Sequence, residues 1–153
     1  IEQITAIVDT REQRPLDISP LKARVAGLET GDYSVAGMEH QICIERKSLA
    51  DLVGCMTSGR DRFEKELRRL RGFQSSAVLV ECSWSQLAAG EYRSKMHPNA
   101  ACATVTAWMQ RYQIPFHFVD DRKEAGLFVA RYLFNAAKDR YRELVAFKGV
   151  QKI

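Results

Sequence analysis

The run SAVLVEC (Ser76–Cys82) places the tightest constraint on what this chain can fold into. Its centre is unbroken and apolar, without the alternation of a half-exposed strand, as expected for a strand buried on both faces. Such a strand needs a covering layer on each side of its sheet, and the surrounding sequence carries helical periodicities able to supply both layers.

Upstream, ITAIVDT (Ile4–Thr10) reads as a short apolar strand, and RPLDISP (Arg14–Pro20) as a proline-punctuated loop. DYSVAG (Asp32–Gly37) and HQICIERK (His40–Lys47) read as two strands joined by a short turn around Gly37 to Glu39. SLADLVGCM begins with Ser48 and has Asp51 three residues later, a helix start. In RDRFEKELRRLRGF, Phe63, Leu67 and Leu70 share one helical face, and Arg62, Lys65, Arg68 and Arg69 lie off it. NAACATVTAWMQRY reads as a helix, IPFHFVDD as a strand and EAGLFVARYLFNAAKDRYRELVAF as a long final helix. This order predicts an α/β fold with a central mixed β-sheet flanked by helices. No repeat or low-complexity tract divides the chain, so residues 1–153 are expected to form a single domain.

No apolar run approaches the roughly 18 residues that a membrane span requires, and the start is not signal-like, so no membrane association is expected. Cys43, Cys55, Cys82 and Cys102 are scattered, with no C-x-x-C pair, which reads as free thiols in a reducing compartment. The protein is therefore expected to be intracellular, cytoplasmic if microbial or phage and nuclear if eukaryotic. A net charge of +4 and a pI near 9.0 are compatible with nucleic-acid binding without establishing it.

Strand alternation in HQICIERK turns Cys43, Glu45 and Lys47 one way and Ile42, Ile44 and Arg46 the other. Ile42 and Ile44 suit a core. Asp32, opening the hairpin, can lie near Glu45 and Lys47, while Asp9 and Glu12 close the first strand. Carboxylates gathered this way repel unless a cation neutralises them or their pKa values rise. Mg²⁺ takes hard oxygen ligands from one or two carboxylates, water and a substrate phosphate. Asp32 and Glu45 suit it, with Asp9 or Glu12 in support, and Lys47 can stabilise charge developing on a phosphate. The chemistry served by such a set is phosphodiester hydrolysis. The plainer alternative is a solvated strand face on which Glu and Lys happen to alternate.

VDTRE (Val8–Glu12), GD (Gly31–Asp32), ERKSLAD (Glu45–Asp51) and GRDRFEKEL (Gly59–Leu67), in this order, resemble the nuclease domain of the XPF-type structure-specific endonucleases. That family carries G-D followed at a variable distance by E-R-K-x-x-x-D on a restriction-endonuclease-like fold. RYQIPFHFVDDRKEA resembles its later strand and the start of its last helix. The resemblance implies metal ligation by Asp32 and Glu45, beside an early acidic pair matched by Asp9 and Glu12. It implies a catalytic role for Lys47, an ordering or phosphate-touching role for Arg46, and support from Asp51. Mg²⁺ is the implied cofactor, replaceable by Mn²⁺. Asp51 has a simpler reading as a favourable charge at a helix N-terminus. The family's helix-hairpin-helix domain is not expected within these residues, since only FKGVQKI follows the last helical pattern, and two readings stand: that domain was cut away, or this is a short stand-alone version.

DNA, probed by shape rather than by base edges, is the expected partner, most of all branched duplex such as flaps, forks and junctions. Arg11, Arg60, Arg62, Lys65 and Arg69 are the candidate phosphate contacts, and the resemblance sends Arg60 toward the cleaved strand with Glu64 as a partner. An ordinary solvated helix face is the alternative. The last helix carries more large apolar residues than one stripe holds, including Tyr141, Leu144 and Val145, which suggests a homodimer or heterodimer through that end. The expected activity is a Mg²⁺-dependent endodeoxyribonuclease of DNA repair or recombination. The competing readings are a non-catalytic DNA-binding or scaffold subunit, and a nuclease acting on plain duplex or RNA.

Overall fold

The computed structural model describes residues 4–150; the ends of the expected 1–153 unit lie outside the described residues. Six strands form one sheet: β1 (Thr5–Asp9), β2 (Lys22–Ala26), β3 (Tyr33–Val35), β4 (Ile42–Lys47), β5 (Ser75–Val80) and β6 (Phe116–Phe118), in the spatial order β2-β1-β3-β4-β5-β6. β3 runs antiparallel to both β1 and β4, and the remaining neighbours are parallel. The helices are α1 (Leu49–Met56), α2 (Arg60–Arg71), α3 (Trp84–Ala88), α4 (Pro98–Tyr112) and α5 (Arg122–Val150).

β5 is covered on both sides, as its apolar run requires. Val78 and Val80 enter one core with Cys43, Phe63, Leu67, Leu70, Val105 and Trp108, formed under α1 to α4. Leu79 enters the other with Ile42, Ile44, Val8, Val129 and Leu133, formed under α5. Each fully buried side chain of this size contributes about 1.5–3 kcal/mol. β4 divides its side chains between the same two layers, so Glu45 and Lys47 belong to the α1–α4 side and Arg46 to the α5 side. The four cysteines are free thiols, and no helix among the described residues is long and apolar enough to cross a membrane.

Two elements were not anticipated. β2 is an edge strand with four exposed residues and no apolar stripe, and only its ladder to β1 makes it a strand. α3 is a single short turn of helix, held by a capping box between Ser83 and Gln86 and burying only Leu87. At the other extreme, α5 buries residues only as far as Ala137, and beyond it Tyr141, Leu144, Val145, Phe147 and Val150 are all exposed.

Gly31 sets the entry to β3. Its φ is +83°, and a Cβ there would collide with Cys43 Sγ and approach the Ile44 carbonyl oxygen to 3.2 Å. Gly31→Ala is expected to destabilise the fold by about 2–4 kcal/mol, combining overpacking with an unfavourable backbone conformation. Chemical denaturation checks this, and the double substitution with Cys43→Ala should cost less than the sum of the two single ones.

Candidate active site

Three adjacent strands bring the acidic residues of the sequence to one end of the sheet. The Asp9 amide donates to the Asp32 carbonyl at 2.9 Å, and the Asp32 amide donates to the Ile44 carbonyl at 2.9 Å. Asp32 Oδ2 in turn accepts from the Arg46 amide at 2.8 Å. Its carboxylate is thereby fixed between residues 44 and 46 of the neighbouring strand, level with Glu45. Glu45 is only 6% exposed. Burial pushes its carboxyl pKa upward, and repulsion from Asp32 and Glu66 adds to the rise against the pull of Lys47. Burial also raises the Asp32 pKa, opposed by the Arg46 amide and reinforced by the negative charge of Glu12.

Lys47 Nζ lies 3.4 Å from Glu45 Oε1, 4.0 Å from Glu66 Oε2 and 5.2 Å from the centre of the Phe63 ring. Burial works to lower its pKa, but the surrounding negative charge, Glu45 first, outweighs it, so the ammonium form is favoured.

A second layer lies on the α5 side. The Arg46 guanidinium donates to Glu12 Oε2 at 2.7 Å, to the Arg14 carbonyl at 2.8 Å and to Glu81 Oε1 at 3.0 Å. Glu12 Oε2 also accepts from the Tyr33 hydroxyl at 2.8 Å, whose oxygen accepts from the Leu16 amide at 2.9 Å. One guanidinium therefore joins β4, the segment after β1 and the end of β5. Asp9 is buried, with Oδ1 accepting from the Leu28 amide at 2.9 Å and Oδ2 from Arg11 Nε at 2.6 Å. Burial alone would raise its pKa, and these hydrogen bonds reverse the sign.

The structure thus brings Asp32, Glu45 and Lys47 together, with Glu12 close to Asp32. Both Asp9 oxygens are already engaged, one with Leu28 in the connection from β2 to β3 and the other with Arg11 just after β1. Asp51 is exposed in the first turn of α1, where its amide donates to the Ser48 hydroxyl at 3.1 Å. No group of three or more His, Cys, Asp or Glu among the described residues is arranged as a metal cage. The donor set available to a cation is the Asp32–Glu45 pair, a number that suits an ion retaining several waters.

Arg62, Lys65 and Arg69 point from α2 into solvent, and Arg11 is likewise exposed. Arg60 is more constrained: Nε lies 3.8 Å from Glu64 Oε2, and the guanidinium stands 5.6 Å from the Trp108 ring. Glu64 also accepts from Tyr112 at 2.9 Å and Arg111 at 3.0 Å, which ties α2 to α4. Sequence reasoning missed Glu66 and Glu81. Glu66 had a legible signal, a charge three residues from Phe63 and four from Leu70 on the apolar stripe of α2. Glu81 had only its place directly after β5.

The ERCC4 domain model matches residues 8–132. The chain belongs to the ERCC4 domain family. This ERCC4 domain is similar to DNA repair endonuclease XPF from Cricetulus griseus and from Mus musculus, at 33% identity over 89 residues in each case. The aligned region takes in 52% of the chain and only 9% of the length of either relative. Among solved structures it resembles XPF from Aeropyrum pernix, with a TM-score of 0.70 and 22% identity over 86% of this chain and 61% of the other. A complex of the same archaeal protein with DNA gives a TM-score of 0.68 at 22% identity, over 89% of this chain and 66% of the other. At that identity the structural likeness speaks for the fold, and it agrees with the expected XPF-type, restriction-endonuclease-like architecture of a mixed sheet between helical layers.

Proposed function

We propose that this ERCC4 domain is a divalent-cation-dependent endonuclease that hydrolyses phosphodiester bonds in branched DNA. The observation that supports it most strongly is the meeting of the half-buried Asp32 and the buried Glu45 carboxylates with the Lys47 ammonium at the end of one sheet. The mammalian relatives are DNA repair endonucleases by name and the archaeal one is seen in complex with DNA, which points the same way. The repulsion that burial builds between Asp32 and Glu45 suits Mg²⁺, or Mn²⁺ in its place. When bound, the ion would supply Lewis-acid stabilisation of phosphate charge and a lowered water pKa. Lys47 would offset the negative charge that accumulates on the phosphate during attack. Arg46 would keep Asp32 aligned through its amide while its guanidinium holds Glu12. Asp9, through Arg11 and Leu28, would fix the first strand beside them. Arg60, Arg62, Lys65 and Arg69 would track the DNA backbone. Asp51 would act from the start of α1 as a favourable charge at the helix N-terminus. The exposed apolar end of α5 would pair with a second subunit, and the protein would work inside the cell in DNA repair or recombination.

The test is incubation of flap, fork, Holliday-junction and plain duplex DNA with Mg²⁺ and the wild type, Asp32→Asn or Lys47→Ala. The wild type should cut branched substrates in preference to duplex. Lys47→Ala should reduce cleavage by about 10²–10³-fold with DNA binding retained. Binding without cleavage by the wild type in any divalent metal would instead assign the domain a scaffolding role.

A further inference from the structure

We propose that Glu66 is a positioning residue for Lys47, holding the ammonium toward the site from α2. The inference rests on the proposed role of Lys47. A lysine on a flexible four-carbon stem does not hold one position without partners. Lys47 has three: Glu45 Oε1 at 3.4 Å, Glu66 Oε2 at 4.0 Å and the Phe63 ring at 5.2 Å. Phe63 and Glu66 are three residues apart on α2 and face the same way. Phe63, Leu67 and Leu70 anchor that face in the core, so Phe63 and Glu66 are presented to the ammonium as one rigid unit.

The division of labour follows from what each carboxylate must do. Glu45 is a proposed ligand, and oxygens committed to a cation hold the lysine less firmly. Glu66 lies on another element and its side chain is 27% exposed, so it keeps its grip on the ammonium when Glu45 is occupied. α2 therefore serves as the mount of the lysine as well as a basic outer surface.

Two measurements on the full chain test this, with Glu66→Gln and Glu66→Asp beside the wild type. The first needs no activity: reductive methylation of the metal-free protein, with modification of Lys47 followed by mass spectrometry. Lys47 should react several-fold faster in Glu66→Gln, with Glu66→Asp between it and the wild type. Equal rates in all three proteins would overturn the proposal. The second is single-turnover cleavage of branched DNA in Mg²⁺. Glu66→Gln should be slower by about ten- to a hundredfold, the scale of a misplaced catalytic group, with unchanged DNA affinity and melting temperature. Glu66→Asp should recover part of the rate. Wild-type rates in both variants would also overturn it. Absence of cleavage by the wild type would sink the nuclease reading instead, and the methylation result alone would then decide whether Glu66 holds Lys47.

Discussion

Glu45→Gln is expected to yield a folded protein whose cleavage rate is lower by on the order of a thousandfold, yet which is more stable than the wild type when no metal is present. Both effects arise from the same carboxylate. Glu45 is buried beside Asp32 and Glu66, and its pKa is pushed up to about 8. The native state therefore holds a proton that the unfolded chain releases near the ordinary value of about 4.5. Between those limits the native protein binds more protons than the unfolded one, so stability falls as pH rises through that window and levels off above it. Glutamine removes the charge and keeps a polar head of nearly the same size. The expected gain near neutral pH is about 1–2 kcal/mol, because the buried amide still carries a desolvation cost. Mg²⁺ should reverse the ranking. An ion at 100 times its dissociation constant stabilises the protein that binds it by about 2.7 kcal/mol, and Glu45→Gln should lose that response. Thermal melts from pH 5 to 9, with and without Mg²⁺, check all three expectations. A wild type that melts identically across that range, or ignores Mg²⁺, would contradict them.

Arg46→Met should produce the largest loss of stability among substitutions of the motif. The Arg46 side chain is 12% exposed and pairs with Glu12 at 2.7 Å and Glu81 at 3.0 Å. Methionine fills much of the same space but leaves both carboxylates without their partner. Breaking a buried pair in this way costs about 3–5 kcal/mol, and about 3 kcal/mol is expected here because Glu81 is only partly buried. Glu12 loses its clamp while the Arg46 amide still meets Asp32, so the damage reaches catalysis through loosening of the strands. Lys47→Ala should behave in the opposite way, with a large effect on rate and a small one on melting. Urea denaturation of the two variants side by side separates a brace from a chemical group. Equal stabilities would refute the distinction.

The division between Arg46 and its neighbours was partly legible. Strand alternation in HQICIERK sorted Glu45 and Lys47 from Arg46 onto opposite faces, and the two cores bear this out. The apolar centre of SAVLVEC announced a doubly covered strand. The proximity of Asp9 to Asp32 required β1 to lie beside β3, which the polar ending of ITAIVDT permitted but did not require. β2 had no signal because an exposed edge strand needs no apolar stripe. Glu66 was masked by its charged neighbours. In RDRFEKELRRLR the charges look uniformly solvated, and only the helical position of Glu66 relative to Phe63 and Leu70 sets it apart. For Arg46 the resemblance implied an ordering or phosphate-touching role without naming its partners, because the two carboxylates come from segments 34 and 35 residues away.

The loop between β3 and β4 turns back at Gly37, where φ is +85° and no atom crowds the position a Cβ would take. An insertion there would only lengthen a solvent-facing connector. One added residue inside Ile42–Lys47 would rotate every following side chain to the other layer, carrying the ammonium to the brace's place and the guanidinium toward Glu45 and Asp32. The gap between Gly31-Asp32 and Glu45-Arg46-Lys47 is therefore elastic, while the tripeptide itself tolerates no slippage.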